Sequence, residues 1–88
     1  MAGSIATIVP GTTPTILFKC TVPAGVDLHW STNGNTGDIY LGGPTVSSTN
    51  FALWLDKKAT GSFFIPYGET VWAIASNGTD DVHVGAWV

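Results

Sequence analysis

Charged residues are scarce in this sequence: three lysines, no arginine and six acidic residues stand among 88. A nucleic-acid-binding surface needs clustered positive charge to displace the counterions of phosphate, and this chain has too little. Binding to an anionic membrane surface is disfavoured for the same reason. The N-terminus lacks the charged and apolar regions of a secretory signal, and no apolar run reaches the roughly 18 residues of a transmembrane helix. We therefore expect neither a nucleic acid nor a membrane as partner.

Metal-binding and redox residues are equally scarce. Cys20 is the only cysteine, so the chain can form no internal disulfide, and a single thiol fits a protein made in a reducing cytoplasm. Its apolar surroundings in the sequence predict a buried, unreactive thiol. His29 and His83 belong to no cluster with zinc spacing, and Asp80 with Asp81 lacks the several converging oxygens that calcium requires. We expect no metal and no cofactor.

No catalytic pattern is present either. A Gly-x-Ser-x-Gly nucleophile turn is absent, and the two histidines lie on separate predicted strands, which is typical of surface or interface residues rather than of a catalytic base. Glu69 is the only glutamate, and no spacing selects an aspartate as its partner for glycoside hydrolysis. The sequence therefore predicts a protein that is not an enzyme and has no catalytic residue.

The small size of the chain suggests that it associates with something. A single domain of this length buries on the order of 8,000 Å² on folding, and if roughly 60% of it is apolar, transfer at ~25 cal/mol/Å² contributes on the order of 125 kcal/mol. Ordering the chain costs on the order of 130 kcal/mol. Because the two nearly cancel, small folds usually add a disulfide, a metal or a partner. We therefore predict self-association or docking on a larger surface.

Short apolar runs alternate with Gly, Asn, Thr and Pro, without a helix-length pattern. A period of two over residues 15–22 places Ile16, Phe18 and Cys20 on one face, and the same period recurs over 26–32. Further strands are expected at 39–41, 51–55, 62–65, 70–75 and 82–88, with a brief pairing at 45–46 and a hairpin turn at 77–80. The fold class predicted is all-β: a small antiparallel β-sandwich or barrel of seven or eight short strands, forming one domain over residues 15–88.

Residues 1–14 are predicted to form an N-terminal arm. Ile5, Ile8 and Val9 are apolar, but Pro10 and Pro14 interrupt any regular ladder. Two interpretations remain open. The arm is either a mobile terminus or an extended strand that adds to the sheet edge of a neighbour, with Ile8 and Val9 as anchors.

The four tryptophans are the strongest candidates for binding. Trp30 shares a strand face with Val26 and Leu28, which favours the core, whereas Trp54, Trp72 and Trp87 lie opposite the main aliphatic rows. Aromatic side chains in such positions favour a subunit interface, and a flat sugar-binding platform is the alternative. The predicted interface residues are Ile5, Ile8, Val9, Trp54, Trp72, Trp87 and Phe63.

Several runs in the second half of the chain resemble a known group of proteins. The runs are 31–34 (STNG), 38–43 (DIYLGG), 46–50 (VSSTN), 63–69 (FFIPYGE), 71–75 (VWAIA) and 78–79 (GT), followed by a valine-rich final strand. Over residues 26–88 the chain is similar to small structural proteins of tailed bacteriophages. It departs from them at 56–61 (DKKATG), where many relatives have a proline-glycine turn.

This resemblance implies a β-sandwich component of a virion and carries over no catalytic residue. We expect a capsid decoration (cement) protein, made in the host cytoplasm and located on the outer capsid surface. Its expected partners are the major capsid protein and further copies of itself, as a homotrimer. The alternative is a carbohydrate- or receptor-binding module of a phage head or tail fibre.

Overall fold

A computed structural model describes residues 3–87, with side chains from residue 6 onward. Eight short strands make up this part of the chain, which contains no helix. The strands are β1 (Gly3–Ile8), β2 (Thr15–Lys19), β3 (Val26–Ser31), β4 (Ile39–Gly42), β5 (Leu53–Leu55), β6 (Thr60–Ile65), β7 (Thr70–Ala75) and β8 (Val82–Trp87). Every pairing between them is antiparallel. The predicted all-β fold is confirmed.

The strands form two sheets of four. The first sheet has the order β1-β8-β3-β6 and the second the order β2-β7-β4-β5. Only β4 and β5 are both consecutive in the chain and paired; every other connection passes from one sheet to the other. This strand order is that of an eight-stranded jelly roll, in which two Greek keys close over one core. Of the two predicted architectures, the sandwich is the one observed.

The predicted hairpin at residues 77–80 is wrong. β7 belongs to the second sheet and β8 to the first, so the turn joins strands that do not pair. The Asn77 side chain makes the turn, because its Oδ1 accepts hydrogen bonds from the backbone N–H of Thr79 at 3.0 Å and of Asp80 at 2.9 Å. An Asn-Gly pair thus predicts a sharp turn but not the sheet that the next strand joins.

The brief strand predicted at 45–46 is also a turn, in which the Val46 N–H donates to the Gly43 carbonyl at 3.0 Å.

The faces predicted for β2 are wrong at its start. The pairing of β2 with β7 shifts between Ile16 and Phe18, so Leu17 is an extra residue, a β-bulge. A shift of one residue exchanges the two faces of a strand. As a result Leu17 is 4% exposed and Ile16 is 47% exposed, although the plain alternation placed Ile16 inside with Phe18. Cys20 is buried, as predicted.

The core lies between the two sheets. Alternate residues of each strand point inward, and the most completely buried of them are Leu28, Ile39, Leu41, Leu55, Ile65 and Val82. Trp30 packs against this core, as predicted from the face that it shares with Leu28. Its ring covers Gly61 on the neighbouring strand, where a Cβ would lie 2.6 Å from Trp30 Cζ2. Any side chain at position 61 would therefore displace the tryptophan.

A separate N-terminal arm is not confirmed. The backbone of residues 3–8 forms β1, the edge strand of the first sheet, and pairs with β8 from Gly3↔Trp87 to Ile8↔Val82. Neither a mobile terminus nor a strand on a neighbour's sheet, the two interpretations left open, describes residues 3–8, because they pair with the chain's own β8. Residues 1, 2 and 88 lie outside the described part of the chain.

A single copy closes its own core. The radius of gyration is 12.1 Å, and a globular chain of this length is expected at about 12 Å. The accessible surface is 4878 Å², against roughly 4,900 Å² for a monomer of this mass. Any association must therefore use the outer surface, because the core needs no partner to complete it.

Candidate docking surface

The outer face of the second sheet carries a contiguous group of apolar and aromatic side chains. On this face Ile16 of β2 pairs with Trp72 of β7, while Tyr40 of β4 pairs with Ile74 on one side and with Trp54 on the other. Residues on the same face of neighbouring strands contact one another. We call this surface the apolar face; it consists of Ile16, Tyr40, Trp54, Trp72, Ile74 and the adjoining Phe51.

Three of these side chains remain open to solvent in the single chain. Trp54 is 56%, Ile16 47% and Phe51 43% exposed. The Phe51 ring packs against Tyr40 with the ring centroids 5.0 Å apart and the planes tilted by 47°, a geometry that aromatic pairs favour. This contact places the segment before β5 beside the sheet and extends the apolar face. Lys19, at the end of β2, is the only charged residue in the four strands of the second sheet.

The outer face of the first sheet has the opposite character. Asp27 and His29 of β3, Ser62 of β6 and His83 of β8 are exposed there. The Thr7 hydroxyl lies 3.0 Å from His83 Nδ1. Two sheets of the same fold thus present one polar and one apolar surface.

One aromatic pair interrupts the polar face. Asp27 pairs with Phe64 on one side and with Trp87 on the other, so a carboxylate lies between two aromatic residues in one cross-strand row. Phe64 is 57% and Trp87 36% exposed. A row of this kind offers flat apolar surfaces beside a hydrogen-bond acceptor.

Polar side chains bind the loops together at one end of the sandwich. Asp80 is buried and accepts hydrogen bonds from the N–H of Gly37 at 2.7 Å, from the N–H of Thr36 at 3.2 Å and from Asn77 Nδ2 at 3.0 Å. Asn35 bonds twice to the backbone of Asp81, donating at 2.7 Å and accepting at 3.0 Å. These bonds connect the β3–β4 loop to the β7–β8 connection.

The hydrogen bonds that Asp80 accepts lower the pKa of its carboxyl group. Burial raises the pKa of this carboxyl group, but the hydrogen bonds from the backbone of Thr36 and Gly37 and from the side chains of Asn77 and Thr36 outweigh it. The pKa is therefore lowered from its ordinary value of 3.8. Because every donor around Asp80 belongs to the loops it joins, the arrangement supports a structural role for this acid.

Among the predicted interface residues whose side chains are described, only two lie on the same surface. Trp54 and Trp72 share the apolar face, whereas Trp87 lies on the other sheet. Ile8 and Phe63 are partly buried against the core, and Val9 is 54% exposed just beyond β1. Of Ile5 the structure gives the backbone, which pairs with Gly85; its side chain lies outside the described part.

Sequence reasoning missed most of the apolar face. Because of the bulge at Leu17, simple alternation placed Ile16 in the core rather than on the outer face. Tyr40 was assigned to a short strand without a prediction of the face on which it lies. One signal was present: β7 is apolar on both faces, with Val71 and Ala73 alternating with Trp72 and Ile74. An apolar run on both faces is typical of strands that are covered on both sides.

The exposed aromatic and aliphatic side chains of the apolar face are suited to binding by apolar contact. Within residues 3–87, no three His, Cys, Asp or Glu side chains converge in a way that could hold a metal ion, and no helix is long and apolar enough to cross a membrane. The Cys20 thiol donates to the Val22 carbonyl at 3.6 Å.

No protein-family model, curated protein sequence or solved structure matches the chain.

Proposed function

We propose that this chain is a structural protein of a tailed-bacteriophage virion, namely a capsid decoration protein that binds the outer surface of the shell. The observation that carries the proposal is the apolar face, with two tryptophans in adjacent cross-strand rows and a single lysine in its sheet. Aromatic side chains in such a patch are the usual anchors of protein interfaces. The occupant we propose is the major capsid protein.

The mechanism follows from this surface. Each copy covers apolar area of the shell and excludes water from it, and many copies act on one lattice, so modest contacts add up. Copies that bind across the joints between capsid subunits oppose the separation of those subunits. The shell then resists the outward pressure of packaged DNA more strongly.

The fold is compatible with this role. Eight-stranded jelly rolls occur in viral capsid proteins and in lectin domains, and one fold serves many functions. The proposal therefore rests on the surface and on the resemblance of the sequence to small phage structural proteins.

Substituting one tryptophan on each sheet tests which face binds the shell. Trp54→Ser is expected to weaken co-sedimentation with undecorated shells by about 30-fold, because a central aromatic anchor contributes roughly 2 kcal/mol to binding. Trp87→Ser is the matched control, since it removes an exposed tryptophan from the opposite sheet and should leave binding unchanged. If the unsubstituted protein fails to co-sediment, the proposed function is wrong. Equal loss in the two variants would show that the apolar face is not the docking surface.

The Trp87–Asp27–Phe64 row favours a second candidate, a carbohydrate- or receptor-binding module of a phage head or tail fibre. Aromatic rings pack on the apolar faces of sugars, and a carboxylate accepts hydrogen bonds from sugar hydroxyls. This function predicts a saturable change in tryptophan fluorescence when glycans are titrated, and its loss in Trp87→Ser but not in Trp54→Ser. A flat titration over a broad glycan panel would exclude it.

A further inference from the structure

The strand β6 is an open edge of the first sheet. It is the last strand in the order β1-β8-β3-β6 and pairs only with β3. Its six residues, TGSFFI, include no proline and no charge, and its register with β3 is unbroken. A regular, uncharged edge exposes a row of unpaired N–H and C=O groups, which is a template for another strand.

The hydrogen-bond pattern shows which groups are free. The Thr32 N–H donates to the Ala59 carbonyl at 2.9 Å, and bonded and non-bonded pairs alternate along an antiparallel ladder. Thr60, Ser62 and Phe64 therefore direct their backbone N–H and C=O groups away from β3. Outside the strand ladders, no backbone group in the described chain bonds to these three residues. All three residues are exposed, which fits an edge that no other described strand covers.

The other edges whose side chains are described carry protection. β2 contains the bulge at Leu17 and ends at Lys19, and both features discourage strand addition. β5 has only three residues and runs directly into Asp56 and Lys57. β6 has twice that length and an unbroken register, and its nearest charges (Lys57 and Lys58) and nearest proline (Pro66) lie outside the strand. The contrast identifies it as the edge that remains available for pairing.

We propose that β6 pairs antiparallel with β6 of a second copy of this chain, about a two-fold axis at Ser62. Residues with outward-directed backbone groups must face one another, so Ser62 lies opposite Ser62 of the second copy and Phe64 opposite Thr60. This register satisfies all the free groups with about six hydrogen bonds between the chains. The result is one continuous eight-stranded sheet, a size that open sheets reach without strain.

The side chains favour this partner over an unrelated strand. On the outer face, Phe64 meets the β-branched Thr60 of the second copy, a stabilising cross-strand combination. On the inner face, Phe63 lies opposite Gly61 and the Trp30 ring that covers this glycine. The antiparallel direction also brings the Lys57–Lys58 end of each strand toward the Tyr67–Glu69 end of the other. Two of the three lysines thus approach the only glutamate.

The proposal goes beyond binding to the shell and uses a different surface. An isologous contact between identical strands closes with two copies, so it predicts a dimer in place of the homotrimer that the resemblance implied. The apolar face lies on the other sheet and remains free for docking. Failure of dimerisation therefore leaves the proposed function standing, and failure of shell binding leaves the dimer standing.

Amide hydrogen exchange on the unsubstituted protein gives the first test. As the protein concentration rises, we expect the amides of Thr60, Ser62 and Phe64 to gain protection together. Gly61 and Phe63 already donate to β3 and serve as internal controls that should change little. Light scattering over the same concentrations should show a shift from the mass of one chain to that of two. A monomer at all concentrations, or a trimer, would overturn the proposal.

A matched pair of lysine substitutions gives the second test. Ser62→Lys places two like charges directly opposite each other at the axis, which opposes pairing, and should raise the dimer dissociation constant at least tenfold. His29→Lys adds the same charge at the position next to Ser62 on the same face. In the dimer the two copies of residue 29 stand about 14 Å apart, three strand spacings, beyond the ~10 Å screening length at 0.1 M salt. An unchanged dissociation constant in Ser62→Lys, or equal weakening in both variants, would contradict the assignment.

Discussion

Leu28→Ala is expected to lower the free energy of unfolding by about 3 kcal/mol. Leu28 is 0% exposed and lies on β3, between Phe63 of β6 and Ala86 of β8. Its side chain points into the space between the two sheets. Truncation removes apolar contacts and leaves a cavity that strands held on both sides cannot close. The loss is a large share of the roughly 4–13 kcal/mol expected for a domain of this size.

Thermal and denaturant unfolding would measure this effect. A loss of this size lowers the Tm of so small a domain by about 15 °C. Leu53→Ala is the matched control, because it deletes the same atoms from a side chain that is 42% exposed and should cost under about 1 kcal/mol. Similar losses in the two variants would show that the core does not lie where the burial of Leu28 places it.

Asp80→Asn is expected to destabilise the protein by about 2 kcal/mol at neutral pH. The carboxylate accepts hydrogen bonds from two backbone N–H groups and from Asn77, and an amide cannot accept all of them. Its NH₂ group also faces donors, so at least one buried N–H would lose its partner. The β3–β4 loop and the β7–β8 connection would then be held less firmly.

The pH dependence of this loss is a sharper test than its size. The folded pKa of Asp80 is lowered from its ordinary value of 3.8, so its contribution is fully present above pH about 4 and is lost as the pH falls through the folded value. The gap in unfolding free energy between the unsubstituted protein and Asp80→Asn should therefore narrow below pH about 4. Asp81→Asn, at the next residue, is the control and should show a small loss at neutral pH. A gap that stays constant on acidification would contradict the role of the Asp80 charge.

Much of the fold could be predicted from local patterns. The alternation in 26–32 and 82–88 identified β3 and β8 because each strand has one face in the core, and β7 was identified as a short apolar run between two turn sequences. The bulge at Leu17 could not be predicted from alternation. Whether Leu17 or its neighbours Ile16 and Phe18 are assigned to the core, the core receives a large apolar side chain. Only the pairing with β7 decides between them. The strands that pair with β8 could not be predicted either. The turn sequence before β8 indicates that the chain changes direction, but not which sheet the next strand joins.

The candidate site was predictable only in part, for a related reason. A period of two states which side chains share a face but not which face meets the core. Trp54 and Trp72 were assigned outward because small or aliphatic residues alternate with them. Phe63 and Phe64 are adjacent and chemically identical, so the pattern offered no basis for choosing, and the exposed one was Phe64. Ile16, Tyr40 and Ile74 become one surface only when β2, β7 and β4 lie side by side.

The place of β8 between β1 and β3 has a consequence for how the protein is made. The first sheet joins residues 3–8 to residues 82–87, so one of its two central strands, β8, is the last of the eight to be synthesised. Until then β1 and β3 have no common neighbour, and the core stays open. Folding of these eight strands is therefore expected to wait until β8 has been synthesised and to be slow, as it is for chains whose contacts join distant residues.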